Sequence, residues 1–395
     1  MHNLIFVLGI FLFICLVLVH EWGHFIVARR NGVFVEEFGL GFPPKAASKK
    51  LKSGMHLSLN WLPLGGFVKM RGEHDSDTAK GSFGAASTWA KTKIMLAGVT
   101  MNLIVGLLIL TLLAVMGMPQ LLTKDSVGQD QFTVASDTKI IRKQVLVGAI
   151  IPGSPAQKAG LKSTDELISA TADGQTKQVS TREQIHDATT AFAGKTINLE
   201  YKRNGQISQK DVQLLSTKEV QASQNTDNPK GYLGIQPTTL QVQRSTWSAP
   251  IVALGLTKQI VVLTFTGLGH AFAGLGSTIA GGATGNHDAR VAGQDKASSQ
   301  VGGPVAIGVA LWDFGNLGLN FILFLIALIS LTLALMNILP IPALDGGRLF
   351  MMWFSRGLLH RPFTPKTEER IVGASFAVLI GLIFLITIVD VKRFF

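Results

Sequence analysis

The chain contains one cysteine, Cys15, among its 395 residues. A single thiol excludes a disulfide framework within the chain and a metal site built from several cysteines. Charged residues are also scarce, at 15% of the total, whereas hydrophobic residues make up 47%. This balance is too apolar for an average soluble enzyme and too polar for a bare bundle of membrane helices. We therefore expect a membrane domain combined with a soluble domain.

The N-terminal apolar segment has neither a basic region before it nor a small-residue cleavage site after it. It is therefore not typical of a cleaved signal peptide, and we expect the helix to be retained. Four segments approach the roughly 20 apolar residues that a bilayer requires, namely 4–28, 94–116, 319–339 and 372–389. The stretch 251–275 contains Lys258 and His270, and we interpret it as an amphipathic surface helix.

The net charge of +11 comes from Lys and Arg residues that cluster beside the apolar segments. They concentrate between the first two spans and between the last two, which makes both of those loops cytoplasmic by the positive-inside rule. Residues 119–312 and both termini are then extracytoplasmic. Because the basic residues follow the membrane topology, they do not indicate a nucleic-acid partner.

An unusual motif lies inside the first apolar segment: His20-Glu21-Trp22-Gly23-His24. Ionisable side chains inside a membrane span are costly and therefore indicate a functional site. In a helix, His20 and His24 lie one turn apart on one face, where they can bind one zinc ion while Glu21 activates a water molecule. A catalytic zinc ion needs a third protein ligand from elsewhere in the chain.

The best candidate for that third ligand is Asp345, which follows the third span. Two prolines before it break the helix, and two glycines after it permit close backbone approach. With four spans, the first and third run in the same direction, so His24 and Asp345 both reach the cytoplasmic half of the bilayer. A fifth span at 251–275 would send Asp345 to the opposite face.

The extracytoplasmic segment contains a run of strand, turn and helix signals. Residues 147–161 read as a strand, a turn and a short helix closed by Gly160, and a hairpin is centred on Asn204-Gly205. Together with the Gly-Tyr-Leu-Gly-Ile segment at 231–235, this run is similar to a PDZ domain of the circularly permuted bacterial type. We expect this α+β domain at residues 140–236, and a generic small β-domain is the alternative.

The two motifs, His-Glu-x-x-His in the first span and Asn-x-x-Pro-x-Pro-x-Leu-Asp-Gly after the third, together resemble those of the site-2 protease family, peptidase family M50. With one PDZ-like domain between the second and third spans, the chain resembles the bacterial regulator-of-sigma-E-protease branch over nearly its whole length. That branch often has two tandem PDZ domains, whereas one is found in this chain.

The resemblance implies a zinc metalloendopeptidase of the bacterial inner or plasma membrane that carries out regulated intramembrane proteolysis. Its active site would face the cytoplasm and its PDZ domain would be extracytoplasmic. The implied substrates are transmembrane segments of membrane-anchored proteins, of the anti-sigma-factor or signal-peptide-remnant type. A peptide or a protein terminus is the implied ligand of the PDZ domain.

Residues 54–70 alternate like a β-hairpin with a turn at 63–66, and they are too apolar for a free loop. The segment resembles the membrane-associated hairpin of the family, with a cytosolic hairpin as the alternative. An edge strand can hold an unwound substrate, so the candidate substrate-binding residues in this segment are Gly65, Gly66 and Phe67. Asn337 could hydrogen-bond the substrate backbone or the oxyanion, and helix packing or capping is its alternative role.

Two other function classes are alternatives to the protease. A PDZ-bearing membrane scaffold with an inactive metal site is disfavoured by the intact Glu21, and a metal transporter would need more intramembrane acids than the spans contain. The expected fold is a polytopic α-helical membrane protein with four transmembrane helices, a β-hairpin region at 33–72 and an extracytoplasmic PDZ domain. Its expected segments are 1–118 (N-terminal membrane core), 140–236 (PDZ), 248–300 (surface helix and linker) and 301–395 (C-terminal membrane core).

Overall fold

The computed structural model describes residues 2–203, 205–224, 229–288, 291–292 and 303–394. The chain divides into two compact units. One is built mainly from residues 111–252, and the other contains the N-terminal hairpin and most of the apolar helices. The principal helices are α1 (His2–Arg30), α2 (Thr88–Met116), α3 (Lys124–Val127), α4 (Pro155–Lys158), α5 (Arg182–Ala191), α6 (Thr217–Ser223), α7 (Ala249–Thr284), α8 (Pro304–Leu317), α9 (Leu319–Ile338), α10 (Asp345–Gly357) and α11 (Pro365–Phe394).

Five helices in the described part of the chain are long and apolar enough to cross a membrane. Four of them, α1, α2, α9 and α11, match the four expected spans, although α9 ends one residue before the third expected span does. The fifth is α7, which contains the stretch 251–275 that we interpreted as a surface helix. By length and composition, the structure therefore has one more helix capable of spanning than the sequence analysis expected, and the surface position of α7 stays a prediction.

The N-terminal β-region consists of β1 (Val35–Lys50) and β2 (His56–Met70), which pair antiparallel. Their connection lies at 51–55, where Gly54 has a φ of +83°, and not at the expected turn. Residues 37–40 of β1 pair with two stretches of β2, 56–59 and 66–69. These two stretches of β2 run in opposite directions to each other. The chain therefore reverses again between them, around the expected 63–66 turn. Among the described residues, 66–69 pair with β1 on one side only.

Aromatic and aliphatic contacts attach this β-region to the helices around it. The ring of Phe38 in β1 lies 6.3 Å from that of Trp22 and 5.9 Å from that of Phe25, both in α1. Beneath these rings, β1, α1, α2 and α10 share one buried apolar cluster. It contains Ala28, Val33, Val35, Met55, Phe83, Ile94, Met95, Leu349 and Met352. The burial of this cluster fixes the hairpin beside the half of α1 that carries the histidines.

The other unit is built on a seven-stranded sheet with the order β3-β9-β4-β5-β7-β8, in which β6 pairs with β5. The strands are β3 (Met118–Gln120), β4 (Lys139–Ile150), β5 (Glu166–Ala172), β6 (Gln175–Gln178), β7 (Thr196–Arg203), β8 (Gln206–Gln213) and β9 (Ile235–Arg244). The expected hairpin around Gly205 is present, since Arg203 pairs with Gln206. The sheet extends beyond the expected 140–236 segment because β9 continues to Arg244 and pairs with β3.

Side-chain caps fix the helices of this unit. Ser154 and Thr181 accept from backbone N–H groups at the starts of α4 and α5, and Ser216 forms a capping box with Glu219 at α6. The apolar faces of the strands and of α5 bury a large core. It contains Val145, Val147, Ala156, Leu161, Leu167, Ala170, Ala172, Val179, Ile185, Ala188, Phe192, Ile197, Leu199, Tyr201, Val212, Leu214 and Leu233.

Candidate metal centre

The structure brings the three predicted metal ligands together. His20 and His24 lie one turn apart in α1, and their Nε2 atoms are 3.2 Å from each other. Asp345, the first residue of α10, places its Oδ2 atom 3.1 Å from Nε2 of His20 and 3.2 Å from Nε2 of His24. His24 is 6% exposed, and the other two side chains are half-buried. Three donor atoms from two distant segments thus converge on one point.

The spacing of these donor atoms fits a metal ion. A tetrahedral zinc ion with bonds of about 2.0–2.1 Å holds neighbouring donor atoms about 3.3 Å apart. The three observed distances are 3.1, 3.2 and 3.2 Å, so the two nitrogen atoms and the oxygen atom match one face of such a tetrahedron. Two imidazoles and a carboxylate are also a zinc donor set that leaves a fourth position for water.

Close backbone packing positions Asp345 at the end of the turn that follows α9. A Cβ atom at Gly346 would contact the carbonyl oxygen of Ile338, and one at Gly347 would contact that of Ile341. Only glycine fits at both positions, as expected from the sequence. The backbone of Leu344 is extended, with φ −110° and ψ 164°, and directs the chain into α10. The first side chain of that helix then faces the histidines.

Helix α2 supports the histidines from the other side. The carbonyl oxygen of Ile94 lies 2.8 Å from Nδ1 of His24, which fixes the orientation of that ring. A Cβ atom at Gly98 would lie 2.6 Å from Nε2 of His20 and would also contact Nε2 of His24. A Cβ at Gly23 of α1 would in turn lie 2.7 Å from the carbonyl oxygen of Ala97. The two glycines let α1 and α2 approach closely at the metal centre.

A family model for peptidase family M50 matches residues 8–382. The chain belongs to peptidase family M50, the site-2 protease family. A Clostridium perfringens protein with the provisional name of a zinc metalloprotease is 30% identical over 380 residues, which cover 96% of each chain. A similarly named protein of Clostridium acetobutylicum is 31% identical over 390 residues, covering 98% of this chain and 96% of the relative. A protein of Enterococcus faecalis with the provisional name of a protease is 26% identical over 452 residues, covering 98% of each chain.

The predicted general base of this M50 protease lies against the β-region. A Cβ atom at Gly66 of β2 would lie 3.1 Å from Cγ of Glu21, so the backbone of the one-sided 66–69 stretch packs on that side chain. Of the other two predicted substrate-binding residues of β2, Gly65 has a φ of +88°, and the ring of Phe67 covers the backbone of Gly39. The structure therefore places this stretch beside Glu21.

Asn337 is half-buried near the end of α9, and no hydrogen bond among the described residues connects its side chain with the three metal-ligand residues. Its role in substrate binding stays a prediction.

Sequence reasoning missed two residues that adjoin the metal centre of this M50 protease. Gly98 faces the donor atoms of both histidines, and Nδ2 of Asn102 lies 3.3 Å from Nδ1 of His20. Asn102 is 1% exposed, although it lies in an apolar span. The signal in the sequence was a glycine and an amide four residues apart, on one face of the second span.

Proposed function

We propose that this M50 protease is a zinc-dependent endopeptidase that cuts peptide bonds within transmembrane segments. The observation that carries the proposal is that donor atoms of His20, His24 and Asp345 lie as far apart as the ligands of one zinc ion. The two histidines belong to α1, a helix of membrane-spanning length. The names of the clostridial relatives, which are those of zinc metalloproteases, support the choice of metal.

The chemistry follows from the donor set and from Glu21. A bound zinc ion supplies Lewis-acid activation of a water molecule and of the scissile carbonyl group. The carboxylate of Glu21 takes the proton of the attacking water and later passes it to the leaving amine. Asn337 hydrogen-bonds the substrate backbone or the oxyanion in this proposal, as its amide donors would allow.

The edge position of residues 66–69 in β2 supports a role in holding the substrate. A transmembrane helix hides its carbonyl groups in hydrogen bonds, so it must unwind before hydrolysis. Residues 66–69 pair with β1 on one side only among the described residues, which makes the other side available for an extended peptide. Because Gly66 packs on Glu21, a strand added there would pass next to the general base. Gly65, Gly66 and Phe67 are the substrate-binding residues in this proposal.

The distribution of basic residues supports a cytoplasmic active site. The loop between α1 and α2 and the loop between α9 and α11 carry the Lys and Arg clusters, which are retained on the cytoplasmic side. We assign the protein to the bacterial plasma or inner membrane, with residues 119–312 outside. The substrates are membrane-anchored proteins of the anti-sigma-factor or signal-peptide-remnant type.

The extracytoplasmic unit is a PDZ domain in this proposal. Its Gly231–Gly234 loop leads directly into β9, and Nη2 of Arg182 in α5 donates to the carbonyl oxygen of Pro237 in β9 at 3.0 Å. In PDZ domains, peptide termini bind between a helix and the strand that follows a glycine-containing loop. Binding of peptides with free rather than amidated C-termini to the full-length protein tests this assignment.

The central experiment measures zinc and cleavage on the same preparation. The full-length protein is purified in detergent, zinc is counted per chain, and a single-span model substrate is incubated with wild type and with Glu21→Gln. We expect one zinc per chain in both proteins and cleavage by wild type only, because glutamine cannot accept the proton. Asp345→Ala is expected to lose the metal while the two histidines remain.

Stoichiometric zinc without Glu21-dependent cleavage of several single-span substrates would contradict the protease and favour a membrane scaffold. Full zinc occupancy in Asp345→Ala would contradict the ligand set but not the cleavage reaction. The two readouts therefore test the metal site and the activity separately.

A further inference from the structure

A histidine that binds zinc through Nε2 must carry its ring proton on Nδ1, and an acceptor facing Nδ1 holds the proton there. For His24 the acceptor is the carbonyl oxygen of Ile94, 2.8 Å from Nδ1. A carbonyl oxygen only accepts hydrogen bonds, so Nδ1 of His24 carries the proton and Nε2 directs its lone pair at the ligand cluster. His20 needs an equivalent acceptor.

The side chain that faces Nδ1 of His20 is the amide of Asn102, whose Nδ2 atom is 3.3 Å away. The oxygen of the same amide, Oδ1, is buried without a hydrogen-bond partner among the described residues. A half-turn about the last side-chain bond exchanges the positions of Oδ1 and Nδ2. This rotation gives the buried oxygen a donor, and it gives Nδ1 of His20 an acceptor.

We propose that Asn102 is a positioning residue of the metal centre, whose Oδ1 accepts a hydrogen bond from Nδ1–H of His20 and so keeps Nε2 free to bind zinc. The inference rests on the zinc site of the proposed function. It also explains the presence of an amide at a buried position of an otherwise apolar helix, where an unpaired polar group is costly.

The backbone around Asn102 is held in place. Ser330 of α9 is fully buried, and its hydroxyl donates to the carbonyl oxygen of Asn102 at 2.8 Å. Ile94, Gly98 and Asn102 follow one another at intervals of four residues, so they lie on one face of α2. That face contacts both histidines. The acceptor for His24 is at Ile94, the proposed acceptor for His20 is at Asn102, and Gly98 lies between them.

The test is a zinc affinity measurement on the full-length protein in detergent, by competition with a chelator of known affinity. Asn102→Leu removes the acceptor at similar size, and we expect zinc to bind roughly 10- to 100-fold more weakly. The ionised carboxylate of Asn102→Asp has oxygen atoms that only accept, so it keeps the hydrogen bond in the proposed direction and should bind zinc within about threefold of wild type. Thr100→Val is the matched control, because the exposed Thr100 hydroxyl donates to the carbonyl oxygen of Leu96 within α2 and is remote in this role from the histidines.

Two results would overturn the proposal. Wild-type affinity in Asn102→Leu would show that His20 needs no acceptor at this position. Equal losses in Asn102→Leu and Asn102→Asp would show that Asn102 acts by packing or as a donor. If Asn102→Leu does not fold, Asn102→Ala takes its place in the comparison. If the wild-type protein itself binds no zinc, the result contradicts the proposed function and not the role of Asn102. The role of Asn102 is tested only by comparing variants with a wild type that binds zinc.

Discussion

Gly98 has no side chain at the point where α2 meets the two histidine ligands. A methyl group there would lie 2.6 Å from Nε2 of His20 and would also contact Nε2 of His24. Both atoms are proposed to bind the metal, and neither can move without leaving the ligand cluster. We therefore expect Gly98→Ala to weaken zinc binding roughly tenfold or more in the chelator competition, a loss typical of disturbed metal surroundings.

Gly106→Ala is the control for a helical glycine in the same α2. Its Cβ would meet Cδ2 and Cγ of Leu331 in α9 at 2.7 and 2.8 Å, so the added methyl group presses on an apolar side chain and not on a histidine. Gly106→Ala should keep the wild-type zinc affinity, and thermal unfolding of both variants checks their folding. Equal affinities in Gly98→Ala and wild type would show that α2 can withdraw from the metal centre.

The three proposed ligand residues could be predicted from the sequence, whereas the residues that contact them from α2 could not. His20, His24 and Asp345 are ionisable groups in or beside apolar helices, where only a function explains their cost. Gly98 and Asn102 are uncharged, and glycine and asparagine also occur where membrane helices pack together, so their spacing in the second span does not by itself indicate a metal centre. Their role appears only when the contacts of α2 with α1 are known, because these contacts join residues that are about 80 positions apart in the sequence.

Helix α8 begins against a carboxylate of another helix. The backbone N–H groups of Gly303 and Ala306 donate to Oδ2 of Asp390 in α11, at 2.9 and 3.0 Å. Asp390 is 1% exposed, and a Cβ at Gly303 would lie 2.8 Å from the same oxygen. The first N–H groups of a helix have no partner within it, so Asp390 acts as an N-cap supplied by a neighbouring helix.

Removal of this cap is expected to destabilise the membrane unit. Asp390→Ala leaves two N–H groups without their acceptor, at a cost of about 1–3 kcal/mol, and should lower the midpoint of thermal unfolding in detergent. Asp390→Asn retains one oxygen and should lose less. Lys392→Ala, an exposed change in the same helix, is the control. An unchanged midpoint in Asp390→Ala would show that the cap does not stabilise α8.

The start of α7 is capped in a similar way in the other unit. Asp137 accepts from the backbone N–H and hydroxyl groups of Ser248 and Thr246, which directly precede α7. These hydrogen bonds, led by that of the Ser248 side chain, hold the pKa of Asp137 below its ordinary value. Because the folded-state pKa is lowered, the stabilisation is present above the unfolded-state pKa of about 3.9 and is lost as pH falls below it.

This pH dependence is measured as a difference between variants. Wild type should be more stable than Asp137→Asn at neutral pH, and the gap between their unfolding midpoints should narrow as pH falls from about 5 towards 3. Asp187→Asn, which removes an exposed carboxylate of α5, controls for the loss of a surface charge. A gap that stays constant across this range would show that the carboxylate charge of Asp137 does not contribute.

The long helices could be predicted from the sequence, whereas the pairing of the strands could be predicted only in part. Hydropathy alone located α1, α2, α9 and α11, because a span needs one continuous apolar run. The alternating pattern at 54–70 located β2 and a turn at 63–66. It did not reveal the connection at 51–55, because the pairing of β2 with β1 depends on residues as distant as Val35. The three-residue strand β3 is too short to show a pattern of its own, so the extension of the sheet to Arg244 was not predictable.

The contact between Asp345 and the histidines limits how the whole chain can cross the membrane. His24 lies near the C-terminal end of α1, and Asp345 follows the C-terminal end of α9, so both helices must run in the same direction if both cross. Between the end of α2 and the start of α9, the chain must then cross either twice or not at all.

The lengths of the intervening helices favour no crossing. Helix α7 has 36 residues, or about 54 Å, and can span a hydrocarbon core of about 30 Å. Among the described residues between α7 and α9, the longest helix is α8, whose 14 residues, or about 21 Å, cannot return across that core. Four transmembrane helices, with α7 at the outer surface of the membrane, therefore stay our prediction for this protein.

Cysteine labelling in intact cells tests this topology, starting from a Cys15→Ser parent that has no thiol. Exposed positions in three segments receive a single cysteine: Lys52→Cys in the β1–β2 connection, Asp173→Cys in the extracytoplasmic unit and His287→Cys beyond α7. We expect a membrane-impermeant maleimide to label Asp173→Cys and His287→Cys directly, and Lys52→Cys only after permeabilisation. If His287→Cys behaved like Lys52→Cys instead, α7 would cross the membrane, and a second crossing before α9 would be required to return Asp345 to the histidines.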